Sequence, residues 1–341
     1  MSSLLSDDQP QSTSAGWHPG AILEVEDLSV DYVMDRGTVR AVQDVTFEVS
    51  PGEFVGIVGE SGCGKSTLLF GIAQLLSPPA GIASGSVLFK GRNLVGLTDK
   101  QLIAVRWRDM SVVMQSAMNA LNPVMSIAAQ FADAMRAHGV TSKQQIADRS
   151  AEVLRMVGID PVHLKSYPHQ LSGGMRQRSM IAMAMLFTPD LVIMDEPTSA
   201  LDVVAQRSLM VQVKELQEKL GFAVIFVTHD MSLVRHFTDR LMIMYAGQVA
   251  EFGVTRRMFE TPLHPYTIGL MEAFPSIKGP RVPLTGIPGS PPDLANPPEG
   301  CQYAPRCPQV MDRCRTTTVP IYQVNGEQVR CLLHENGEAV Q

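Results

Sequence analysis

The sequence predicts an α/β protein built around a parallel sheet. Three observations carry this. LVIMDEP (Leu191 to Pro197) and AVIFVTHD (Ala223 to Asp230) are continuously apolar runs that end in charged residues, as central parallel strands buried on both faces require. A third short apolar run, EFVGIVG (Glu53 to Gly59), leads straight into a glycine-rich loop. Stretches of helical period lie between such runs, and strands alternating with helices argue for a parallel sheet.

From the start of the chain, MSSLLSDDQPQSTSAGWHPG has neither a positive n-region nor an apolar h-region, so it does not read as a secretory signal. Its Ser, Gln, Pro and Asp content predicts a disordered tail over residues 1–20. ILEVEDLSVDYV and VRAVQDVTFEVS, within residues 21–50, alternate apolar and polar positions, the period of half-buried strands. SGSVLFKGRNL (Ser84 to Leu94) is another strand and turn. An antiparallel β-subdomain is expected over about 22–95. AAQFADAMRAHGV and QQIADRSAEVLRMVGI place apolar residues three and four apart, predicting a helical subdomain over about 116–180. After about residue 255 the character changes. PLHPYT is followed by a linker, Pro275 to Gly300, with eight prolines, which suits neither helix nor sheet. The expected boundaries are therefore a tail at 1–20, a main domain at 21–255 and an extension at 256–341.

Composition narrows the function classes. The chain has 341 residues, 45% hydrophobic and 18% charged, ordinary values for a globular protein with a sizeable core. The net charge of -6 leaves no general basic footprint for nucleic acid. The most apolar stretch, Met180 to Phe187, is eight residues long, well short of the roughly 18 needed to span a membrane. A cytoplasmic chain is expected, with any membrane work done through a partner.

Three segments carry chemistry. GESGCGKS (Gly59 to Ser66) fits G-x-x-x-x-G-K-[ST] directly after a strand. Its backbone N–H groups, over Gly59, Ser61, Gly62, Cys63, Gly64, Lys65, Ser66 and Thr67, can curl around phosphates at the positive end of a helix. Lys65 supplies a point charge to the β- and γ-phosphates, and the Ser66 hydroxyl a Mg²⁺ ligand. In LVIMDEP, Asp195 can hold Mg²⁺ through water, and Glu196 is placed to polarise an attacking water as general base. A strand end with two solvated acids is the plain alternative, and the P-loop about 130 residues upstream argues against it. LSGGMRQR (Leu171 to Arg178) opens a further helix with Ser-Gly-Gly, a second phosphate cradle by the same helix-terminus physics. One chain holding one ATP does not need two.

With that segment the sequence resembles the ABC transporter ATPase family, over about residues 22–255. The resemblance implies a P-loop NTPase fold: a RecA-like core, an antiparallel β-subdomain, and a helical subdomain carrying the signature. It implies that two subunits pack head to tail, so that Ser172, Gly173 and Gly174 contact the γ-phosphate of ATP held by the other subunit. Gln115 in VVMQSAMNALNP matches the family's Q-loop glutamine, which touches Mg²⁺ and the water and senses the membrane partner. SALD (Ser199 to Asp202) matches the D-loop, with Asp202 at its end. His229 in VTHD matches the switch histidine at the γ-phosphate, and Tyr32 the aromatic that stacks on adenine. Singly, a glutamine, a histidine or a strand tyrosine is more often structural; their order and spacing make them a set. A repair or translation ATPase of the family, or an unrelated P-loop kinase or GTPase, is the alternative. One cassette, negative charge, LSGGM and VTHD argue against these.

TPLHPYTIGLMEAFPS (Thr261 to Ser276) and GSPPDLANPPEGCQYAPRCPQVMDRC (Gly289 to Cys314) resemble the C-terminal extension of oligopeptide and dipeptide importer ATPases, in particular the D-type subunit. That implies a related F-type ATPase partner, two transmembrane permease subunits, an extracytoplasmic substrate-binding protein and a place on the cytoplasmic face of the membrane. Peptides are the expected cargo, with nickel or oligosaccharides in some relatives. Four of the five cysteines, Cys301, Cys307, Cys314 and Cys331, follow a C-x5-C-x6-C-x16-C spacing. A reducing compartment disfavours disulfides. The spacing lacks the short pairs of zinc sites and ferredoxins, so Zn²⁺, an iron–sulfur cluster and free or disulfide-bonded thiols all stay open from the residues. The resemblance implies a [4Fe–4S] cluster. Cys63 is excluded from the set because it lies in the P-loop.

Overall fold

The computed structural model describes residues 20–35, 37–115, 120–199, 201–273 and 286–339. The predicted N-terminal tail, Ala200 of the SALD segment and the linker up to residue 285 fall outside the described residues, apart from Gly20.

The chain opens with two long strands, β1 (Leu23–Met34) and β2 (Gly37–Val49), paired antiparallel. The buried run β3 (Phe54–Val58) follows, then the glycine-rich loop and α1 (Lys65–Ile72). Next come β4 (Ala80–Phe89), β5 (Arg92–Asn93), α2 (Asp99–Ile103) and β6 (Met110–Val113). The helical segment holds α3 (Ile127–Ala137), α4 (Lys143–Met156) and α5 (Gly173–Ala184). Then β7 (Leu191–Asp195), α6 (Val203–Leu220), β8 (Ala223–Val227), α7 (Met231–Phe237), β9 (Arg240–Tyr245) and β10 (Gln248–Val254) complete the main body. The extension adds α8 (Thr255–Glu260), α9 (Pro265–Glu272) and the short strands β11 (Tyr322–Val324), β12 (Glu327–Val329) and β13 (Glu338–Ala339).

Two sheets result. One is antiparallel, in the order β2-β1-β4-β5. The other has nine strands, in the order β13-β11-β12-β10-β9-β3-β8-β7-β6, and its β9-β3-β8-β7-β6 portion is parallel. The continuous apolar runs are explained by two-sided burial, since successive strand residues face opposite ways. Leu191, Ile193, Ile225, Val227, Val55 and Ile57 pack with the antiparallel sheet and with Leu68, Leu69 and Ile72 of α1. Val192, Met194, Val224, Phe226 and Phe54 pack with Phe131, Val153, Leu154, Ile181 and Met210 of the helices. This α/β architecture is the predicted one, with one refinement. β3 and α1 lie inside the 22–95 span in sequence but belong to the main sheet and its covering helix, because β3 is buried on both faces.

The extension is continuous with this body. β12 pairs with β10 through Glu251↔Val329 and Phe252↔Gln328, so the main sheet runs on past residue 255. A small core of Ala304, Cys314, Val319, Tyr322, Val329, Cys331 and Leu332 closes over its far end.

Candidate functional site

The glycine-rich loop leaves β3 at the carboxyl edge of the parallel strands, where ligands of open α/β sheets bind. Gly64 precedes α1 with φ +98°, and a Cβ there would meet the Ala41 carbonyl oxygen at 2.2 Å. Only glycine allows this turn, which starts the helix with no side-chain cap on its first N–H groups. Those donors are left for an anion. Ser61 and Gly62 are exposed, Gly59, Ser66 and Thr67 are half-buried, and Cys63 is buried. Burial pushes the Cys63 thiol up despite the neighbouring Lys65, so it is an uncharged packing group. Lys65 is itself buried, and its Nζ donates to the carbonyls of Gly59 (2.8 Å) and Glu60 (2.9 Å).

Around this loop the fold assembles an open cleft of about 640 Å³, within the size range of small-molecule sites. Tyr32, Gly59, Lys65, Ser66, Gln115, Glu196 and His229 all line it. The Tyr32 hydroxyl lies 3.1 Å from Thr67 Oγ1, which brings the edge of β1 to the start of α1. Asp195, at the end of β7, is 2% exposed and accepts a hydrogen bond from Ser66. Burial raises its carboxyl above the ordinary range, and its Oδ1 has no hydrogen-bond partner. A buried carboxylate oxygen without a donor, beside a hydroxyl, fits a hard divalent cation such as Mg²⁺.

Glu196 follows with φ +45°, a left-handed conformation that is costly for a non-glycine residue. It is held there by a hydrogen bond from its N–H to the Val227 carbonyl at 2.9 Å. The turn sends its carboxylate away from the strand. Oε2 accepts from Gln115 Nε2 at 2.9 Å, and Oε1 lies 3.7 Å from His229 Nδ1. Gln115, 81 positions upstream, and His229, beyond the neighbouring strand β8, thus meet at one carboxylate.

The signature residues are not part of this cleft. Ser172 caps α5, its hydroxyl accepting from the Met175 N–H at 3.3 Å, with Gly173 and Gly174 in the first turn. Asp202 caps α6 in the same way, accepting from the Ala205 N–H at 2.9 Å. Both caps are exposed, and neither is among the residues that line the cleft.

The extension reaches the loop from behind, which no pattern in the sequence announced. The fully buried Tyr266 accepts from the Glu60 N–H at 3.1 Å. Arg306 grips the Glu60 carboxylate with both arms, at 2.8 and 3.0 Å. The four late cysteines are neighbours and are not disulfide-bonded. Burial raises the thiols of Cys301 and Cys307 and pushes Cys331 up to about 11; Cys314 adds to all three shifts, Cys307 to those of Cys301 and Cys331, and Cys301 to that of Cys331. The backbone N–H two residues on donates to the sulfur in three cases: Tyr303 to Cys301, Gln309 to Cys307 and Leu333 to Cys331. Among the described residues, no three His, Cys, Asp or Glu side chains close around a single metal ion as they stand.

Known proteins share this sequence and fold. The ABC transporter profile matches residues 42–199, and that of the oligopeptide/dipeptide transporter C-terminal region matches residues 250–314. The chain is 44% identical over 296 residues to the dipeptide transport ATP-binding protein DppD of Bacillus subtilis, covering 86% of this chain and 88% of that one. It is 39% identical over 323 residues to DppD of Caldanaerobacter subterraneus, covering 94% and 99%. With the oligopeptide transport ATP-binding protein OppD of Escherichia coli it shares 41% identity over 296 residues, covering 86% and 88%. A bacterial ABC transporter cassette solved as a dimer superposes with TM-score 0.62 at 29% identity, over 69% of this chain and 99% of that one. With a P-loop cleft on a RecA-like sheet and such relatives along nearly its whole length, the chain belongs to the family of ABC transporter ATP-binding proteins, in its oligopeptide and dipeptide transport branch.

Proposed function

We propose that this chain is the ATP-binding and ATP-hydrolysing subunit that powers import of peptides through a membrane ABC transporter. The observation that carries the catalytic half is the Glu196 carboxylate, held between Gln115 and His229 at the mouth of the Lys65 cleft. In this reading Lys65 and the loop N–H groups bind the phosphates, and Tyr32 stacks on the adenine. Ser66, Asp195 and Gln115 hold Mg²⁺, which when bound neutralises charge on the transferred phosphoryl group. Glu196 takes the proton of the attacking water, and Gln115 and His229 orient it. The capped helix N-terminus at Ser172, Gly173 and Gly174, together with Asp202, lies outside the chain's own cleft. That supports their use in trans, on ATP held by a second ATPase subunit; this reading takes that partner to be of the related F-type.

The cargo half rests on the relatives' names and on the C-terminal region match. It brings with it two permease subunits, an extracytoplasmic binding protein and a position on the inner face of the membrane. Among the described residues no helix is long and apolar enough to cross a membrane, which supports attachment through the permeases. Residues 21–255 form the cassette of this reading and residues 256–341 its importer-type extension. The four cysteines suit a [4Fe–4S] cluster with a structural role. Their all-thiol donor set, the backbone N–H bonds to three sulfurs and the small core beside them support it.

The test is reconstitution of the complex in membrane vesicles. ATP hydrolysis that rises with a peptide-loaded binding protein, accompanied by peptide uptake, is the expected result. Stimulation by nickel or an oligosaccharide in place of peptides would reassign the cargo. Hydrolysis stimulated by nucleic acid alone would overturn the transport reading.

A further inference from the structure

Glu60 is the second residue of the glycine-rich loop, and it puts a carboxylate beside a site that must receive a polyphosphate. In this fold that charge is never left alone. Arg306, 6% exposed at its side chain, pairs with it through two parallel hydrogen bonds, Nη1 to Oε2 at 2.8 Å and Nη2 to Oε1 at 3.0 Å. The guanidinium is aimed by three further contacts: Nη1 to the Tyr245 hydroxyl (3.1 Å), Nε to the Pro288 carbonyl (2.8 Å) and Nη2 to the Ile287 carbonyl (3.4 Å). A fork of this kind is the strongest and most directional form of ion pair, and arginine does not lose its charge at accessible pH.

The main chain of Glu60 is held as well. Its N–H donates to Tyr266 of the extension, and its carbonyl accepts from Lys65 Nζ. Tyr266, Tyr245 and Tyr303 pack ring against ring, with centroids 4.6 to 5.4 Å apart. These rings pack Tyr266, which holds the loop, against Tyr303, three residues before Arg306. Glu60 therefore touches the phosphate-binding lysine on one side and the extension on the other.

We propose that the extension is a working part of the nucleotide site: Arg306 is a positioning residue that cancels the Glu60 charge and pins the loop, so that ATP affinity depends on the extension. This rests on the reading of Gly59 to Ser66 as the ATP phosphate cradle. Since Arg306 directly precedes Cys307, anything that unravels the cysteine-bearing segment withdraws Arg306 from the loop.

The experiment measures ATP KM and kcat, and ATP Kd by equilibrium binding, of the complex reconstituted with its permeases, for wild type, Arg306→Ala, Arg306→Ala with Glu60→Gln, and Lys65→Ala. An unpaired carboxylate at partial burial near the phosphates should raise KM about tenfold in Arg306→Ala, by Coulomb repulsion at an effective dielectric of about 20. kcat should stay within about threefold, because repulsion of this kind acts on binding. Removing the charge as well should return KM to within about threefold of wild type, since no repulsion then remains. An unchanged KM in Arg306→Ala, alongside lost binding in Lys65→Ala, would overturn the proposal. So would a raised KM that Glu60→Gln does not rescue, because Arg306 would then only brace the fold. Wild-type ATP affinity in Lys65→Ala would instead remove the phosphate-cradle reading beneath it. If Arg306→Ala does not assemble, Arg306→Gln keeps most of the side-chain volume and is judged by the same two comparisons.

Discussion

Gln115 Nε2 donates to Glu196 Oε2 across 2.9 Å, joining the segment after β6 to the end of β7. The bond gives Glu196 a fixed orientation while leaving Oε1 toward His229. A carboxylate oriented in this way is suited to receive a proton from water, and the residue on the other end of the bond lies in the segment expected to meet the permeases.

Glu196→Gln should keep ATP binding and lower turnover by about 10²- to 10⁴-fold, the usual worth of a general base. The amide preserves the shape and loses the basicity. Single-turnover hydrolysis in the assembled complex, with retained nucleotide measured after gel filtration, checks this. Hydrolysis at the wild-type rate would remove Glu196 from the role.

Ser172→Arg should abolish hydrolysis at the partner subunit's P-loop and spare the mutated chain's own. The cap at Ser172 is exposed and stands outside this chain's cleft, so the added bulk and charge fall only on a cradle shared in trans. Mixed complexes carrying one mutated and one native ATPase, read by site-specific nucleotide trapping, distinguish the two sites. Loss confined to the mutated subunit's own P-loop would contradict the head-to-tail arrangement.

Acid should loosen the extension first. His264 is fully buried at the start of α9, where its Nδ1 accepts the Tyr266 N–H at 3.0 Å. Burial, helped by the nearby His334, pushes its imidazole down to about 3. The native state thus keeps His264 neutral while the unfolded chain protonates it below about 6.5. The unfolded state binds the extra proton, so this contribution is complete above pH 6.5 and is lost as pH falls from there toward 3, at up to about 1.4 kcal/mol per pH unit. His264→Asn retains a capping acceptor without a titration in that range. Thermal melts from pH 7 to 4 should show a shallower pH slope for the variant, and an unaltered slope would exclude His264 as the source.

Protein purified without oxygen should be brown, with broad absorbance near roughly 400 nm from thiolate-bound iron. Replacing Cys314 with serine should bleach it and lower the melting temperature, since the small core of the extension is built around these thiols. Colourless wild-type protein with one zinc per chain and no acid-labile sulfide would make the site a zinc centre instead.

The strands, the loop and the helix starts were legible in the sequence because each is set by local physics. Two-sided burial writes a continuous apolar run at Leu191 to Asp195 and at Ala223 to Val227. A tight phosphate-binding turn demands glycine at position 64. Ser172 announces a helix because its side chain satisfies one of the first free N–H groups. The extension was legible as a change of composition, while the strand that β12 adds beside β10 was not, because its three residues carry no period long enough to read.

By itself, then, the sequence determined which elements form and which residue types are available for phosphate chemistry. Only the tertiary structure decided which of them meet. Tyr32 reaches Thr67 across 35 positions, Gln115 reaches Glu196 across 81, and Arg306 reaches Glu60 across 246. The left-handed turn at Glu196 is likewise held from outside, by the Val227 carbonyl on a neighbouring strand. Contacts of that separation depend on how sheets and helices pack their apolar faces, and packing leaves no local periodicity at the polar residues it brings together.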